Sequence, residues 1–114
     1  MAARPKGVGD ATLPHNKWTH VAVSYVSATH VATLYVNGAI DKTMTMSAGI
    51  DTSTFNKNTI ACAEIGRRYC FGSWMDFVGL IDSVRLYTTR LTAMDIQNIY
   101  ALEKPNYLDT VALK

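Results

Sequence analysis

A chain of 114 residues with 48% hydrophobic and 18% charged side chains has the composition of one globular domain, too apolar for disorder and too evenly mixed for a coiled coil. Eleven basic residues against nine acidic ones leave a net charge of +2, scattered along the chain with Arg67-Arg68 the one adjacent basic pair, which excludes the massed positive face of a nucleic-acid binder. No apolar run approaches the roughly 18 residues of a membrane span, and the opening residues lack the apolar core of a secretory signal.

Residues 1–17, with Pro5, Gly7, Gly9 and Pro14, carry no hydrophobic period and read as an arm ahead of a domain over 18–114. From Trp18 the pattern alternates: residues 18–26 are rich in β-branched and aromatic side chains and predict a strand with Val21 and Val23 inward. A short connection over 27–30 leads to a second strand, 31–36, with Ala32, Leu34 and Val36 inward and Thr33 and Tyr35 outward. Asn37-Gly38 follows at once. This pair is the strongest short hairpin signal, because a type I′ turn needs positive φ at both central positions. The return strand spans 39–46, with Ile40, Met44 and Met46 on one face.

The polar stretch 49–58 reads as a loop, 59–65 as a strand ending at Gly66, and 67–76 as a further loop. Residues 77–87 then alternate as a strand that places Asp82 on the same face as Val78, Leu80, Val84 and Leu86. The period changes to that of a helix over 91–102, where Thr92 is the predicted N-cap, Asp95 completes a capping box, and Ile96, Ile99 and Tyr100 form the inward stripe. Lys104-Pro105 stops the helix, and 107–113 adds an edge strand. Antiparallel strands followed by one short helix make an all-β sandwich, with no βαβ alternation.

Chemistry concentrates in few places. Tyr69, Phe71 and Trp74 stand beside Arg67 and Arg68 in the 67–76 loop, and aromatic faces stack on sugar rings while arginines grip acidic groups. The alternative is that Phe71 and Trp74 close the end of a core. Asp82 has three readings, in this order: acceptance of backbone N–H bonds from the missing or a swapped segment, a salt bridge to an arginine such as Arg67 or Arg90, and calcium ligation if the fold gathers Asp41, Asp51 and Asp76 beside it. Cys62 and Cys70 flank Gly66 at a spacing that allows either a disulfide or two free thiols. Glu64 and Glu103 are the only glutamates, so the paired carboxylates of a glycosidase are missing, as are nucleophile and phosphate-loop motifs.

Trp18-Thr-His-Val-Ala-Val-Ser-Tyr25, Leu34-Tyr-Val-Asn-Gly38, Ile65-Gly66 and Gly79-Leu-Ile-Asp-Ser-Val-Arg-Leu-Tyr87 followed by Leu91-Thr-Ala-Met-Asp-Ile96 resemble, in order and spacing, the C-terminal half of laminin-G-like domains of the concanavalin A-like lectin/glucanase superfamily. The resemblance implies an all-β, antiparallel jelly-roll sandwich, concanavalin A-like and truncated at its N-terminal strands, with one short C-terminal helix. It implies an extracellular or cell-surface binding module for a glycan or a cell-surface protein, often with calcium. It implies no nucleic acid and no membrane insertion. A sandwich short of strands exposes an edge and an apolar face, so a homodimer is expected to complete it. The rival function is an oligomerising assembly protein that binds no sugar, and the third is a vestigial glycoside hydrolase.

Overall fold

The computed structural model describes residues 9–46, 65–68 and 75–107. The chain divides into two compact units, 1–50 with 87–114, and 51–86.

In the first unit, strands β1 (Val21–Val26), β2 (Val31–Val36) and β3 (Ala39–Thr45) form one antiparallel sheet in the order β1-β2-β3. Both turns are built as their residues require. His30 closes the first with φ 57°, and Asn37 and Gly38 take φ 49° and 77° in the second, the two positive values of a type I′ hairpin. The second turn is clasped from β1: Asn37 N–H donates to the His20 carbonyl at 2.8 Å, and His20 N–H donates to Asn37 Oδ1 at 3.0 Å.

The register fixes two faces. Val21, Val23 and Tyr25 stand opposite Val36, Leu34 and Ala32, and Met44 opposite Ala32, so these residues share one side of the sheet. The sequence places this side inward, yet Val21 and Val23 are 59% and 64% exposed. On the other side Tyr35, expected outward, is only 4% exposed, and Ser24 is buried as well. The reason is the helix. Tyr100 of helix α1 (Ala93–Glu103) lies against His20, which by alternation shares a side with Ala22 and Ser24. The more polar face is therefore the one that gains a covering element.

Ile40 departs from its expected face for a separate reason. Leu34 pairs with Lys42 but Tyr35 pairs with Ile40, which leaves Asp41 as the extra residue of a β-bulge. The bulge shifts the alternation by one, so Ile40 joins the Tyr35 side while Met44 joins the Leu34 side. It also turns Asp41 toward the arm. The Asp41 carboxylate accepts Asp10 N–H and Ala11 N–H, each at 2.8 Å, and Lys42 Nζ pairs with Asp10 Oδ1 at 2.7 Å. Gly9 lies so close to Asp41 Oδ2 that no Cβ fits there.

Helix α1 starts where the capping box predicts. Asp95 N–H donates to Thr92 Oγ1 at 3.1 Å, and Thr92 N–H donates to Asp95 Oδ2 at 2.8 Å. Ile96 is 2% exposed, with Ile99 and Tyr100 half-buried beside it, and a 3₁₀ turn over Lys104–Asn106 ends the run. The expected strand at 107–113 lies outside the described residues apart from Tyr107.

In the second unit, β4 (Arg67–Arg68) pairs antiparallel with β5 (Met75–Asp76), and Phe77 N–H donates to the Gly66 carbonyl at 2.8 Å. Most of the expected strand at 59–65 lies outside the described residues. Beyond β5 the expected strand over 77–87 does not form. Val78 and Leu86 are 95% and 96% exposed, and Ser83 interrupts the extended backbone with φ 53°. Alternation supplies a face, but a strand also needs a neighbour for its backbone groups.

Candidate functional site

The two short strands β4 and β5 set Arg67 opposite Asp76 and Arg68 opposite Met75. Between the two strands in sequence lie Tyr69, Phe71 and Trp74. Those three residues lie outside the described residues, as do Cys62 and Cys70. Residues 67–68 and 75–76 of the expected ten-residue loop are thus short paired strands.

Asp82 is exposed, and its Oδ1 accepts the N–H of Ser83 at 2.6 Å. The donor is the next residue, whose φ is positive, and not a separate segment. Asp76 is exposed at the end of β5. Among the described residues no group of three or more His, Cys, Asp or Glu side chains gathers as a metal site requires.

The first unit brings together a set of side chains that the sequence leaves scattered. Trp18 and Tyr107 meet with ring centroids 5.0 Å apart and planes tilted by 55°. His20 and Tyr100 meet at 5.8 Å, and Lys104 Nζ sits 5.7 Å from the Tyr100 ring centroid. Tyr100 also roofs the hairpin turn, since a Cβ on Gly38 would stand 2.9 Å from Tyr100 Cδ1. Trp18, His20, Tyr100 and Tyr107 are half-buried and Lys104 is exposed. His20 Nδ1 is buried with no hydrogen-bond partner among the described residues, a local cost of about 1–3 kcal/mol. Trp18 and His20, two apart at the lead-in to β1, carry a period-two signal. Their meeting with the helix stripe and its C-terminal turn is tertiary, and no spacing announces it.

At the helix start, the Thr92 backbone N–H, and after it the Thr92 hydroxyl, hold the Asp95 carboxyl below the usual carboxylate range. This carboxylate is structural, since both of its partners belong to the capping box.

A family model described as the concanavalin A-like lectin/glucanases superfamily, of laminin-G type, matches residues 2–97. No curated protein matches the chain. Among solved structures, the chain is similar to an S-layer domain-containing protein (residues 221–444) from Clostridium thermocellum, at 23% identity and a TM-score of 0.58. The match covers 81% of this chain and 43% of that one, so the chain spans less than half of the solved relative.

Proposed function

Because the chain belongs to the concanavalin A-like lectin/glucanases superfamily, we propose that it is a non-catalytic module that binds carbohydrate outside the cell or at its surface, through the hairpin of residues 67–76. Domains of this laminin-G type are modules of carbohydrate binding and adhesion, typically without catalysis. The observation that carries the proposal is the family match across residues 2–97. The pairing of β4 with β5 supports the location, because it gives a segment containing three aromatic residues a fixed base beside two arginines. The chain also has only two glutamates, Glu64 and Glu103, and no paired-carboxylate motif, which favours binding over hydrolysis. A glycan array probed with wild type and with Trp74→Ala tests the reading. Binding by wild type that falls at least tenfold in the variant, about 1.4 kcal/mol, is expected. Absence of binding by both proteins removes it.

One observation favours a second reading, self-association. The sheet face that carries Val21 and Val23 leaves those two side chains exposed, and we propose that their occupant is a second copy of the chain. Three strands of about six residues offer a face of about 20 Å by 14 Å, well below the roughly 800 Å² per partner of a stable interface. The dimer is therefore weak and concentration-dependent. Sedimentation should show it forming at high concentration and lost in Val23→Lys, whereas a monomer at every concentration contradicts it.

A further inference from the structure

We propose that the corner formed by Trp18, His20, Tyr100, Lys104 and Tyr107 is a second ligand site, independent of the 67–76 hairpin, which takes a carboxylated sugar ring. Three parts of the first unit converge there: the lead-in to β1, the last turns of α1, and the 3₁₀ turn that follows. The most buried side chain of the helix, Ile96, lies nearer its start, outside the corner. The corner has two further properties that a clamp does not require.

The first is its cation. Lys104 is exposed, stands over the Tyr100 ring at 5.7 Å, and has no carboxylate partner among the described residues. Pro105 within the same turn fixes the backbone there, so the ammonium is carried on an ordered base. The second is the disposition of the rings. Trp18 and Tyr107 are inclined at 55° and not stacked, and all four rings are only half-buried. A sugar ring stacks its C–H face on an indole or phenol and a carboxylate on the same ring pairs with an adjacent ammonium, so a half-open aromatic set beside an exposed ammonium selects an acidic sugar over a neutral one.

The chain has two tryptophans, Trp18 and Trp74, which makes a clean test available. In Trp74→Phe the remaining indole reports the corner alone and the hairpin has lost its indole, so the two sites are read separately. Titration of this variant with a glucuronate-containing oligosaccharide should give a saturable change in Trp18 emission. The affinity should fall about tenfold or more in Trp74→Phe/Lys104→Ala, as expected for loss of a hydrogen bond to a charged group. It should also weaken as salt rises from about 0.15 M to about 0.5 M. Lys104 is exposed, and unchanged circular dichroism will show that its replacement leaves the fold intact. Absence of a saturable change overturns the proposal, as does equal response to a neutral oligosaccharide or an undiminished response in the Lys104 variant.

Discussion

Strand β2 and the segment 77–86 carry much the same message in sequence, alternating apolar residues with aromatics nearby, yet one is the centre of a sheet and the other is exposed along its length. β2 has a partner on each side, and each partner is delivered by a tight turn whose residues demand that turn. Residues 77–86 are preceded by a hairpin only two residue pairs long. Where no strand among the described residues pairs with this segment, the same alternation leaves a row of apolar side chains exposed.

The contrast can be broken most strongly at the helix. Ile96→Ala removes the most buried side chain of the described chain and should cost about 2–5 kcal/mol, while Leu80→Ala in the exposed segment should change stability by less than about 0.5 kcal/mol, both read from urea unfolding. If the two cost the same, the exposed segment is packed in solution. A smaller effect sharpens the role of the turn. Gly38→Ala places a Cβ on a residue with φ 77° beneath Tyr100, and should destabilise by more than about 1 kcal/mol and disturb the helix as well as the hairpin.

The smallest effect is one of pH. Asp95 titrates below its ordinary 3.8 in the folded chain, so the unfolded chain binds its proton first as pH falls. Its contribution to stability is complete above pH 3.8 and is lost as pH drops through the lowered folded-state value. Melts followed by circular dichroism between about pH 2 and pH 6 should show that loss, and Asp95→Asn should flatten it.

Much of the first unit was legible because its signals are local. Asn37-Gly38 and the Thr92–Asp95 box each need only neighbouring residues, and both form as expected. The faces were less legible. Val21 and Val23 are the more apolar residues of β1, so hydrophobicity alone turns them inward, but the helix arrives on the side of His20 and Ser24. The bulge at Asp41 was equally silent, since it is set by the register of β2 with β3 and by the arm that the carboxylate holds. Of the candidate site, the sequence marks the residues of the 67–76 hairpin but not the pairing that closes it. The aromatic corner was hidden because Trp18 and Tyr107 meet only once the chain has folded.

Amide hydrogen exchange, with and without an oligosaccharide found by the array, tests the central claim most directly. If the hairpin is the carbohydrate contact, ligand should slow exchange at Gly66, Arg67, Arg68 and Phe77 while the already protected amides of β2 stay unchanged. Bound ligand with no added protection at those four amides would contradict it.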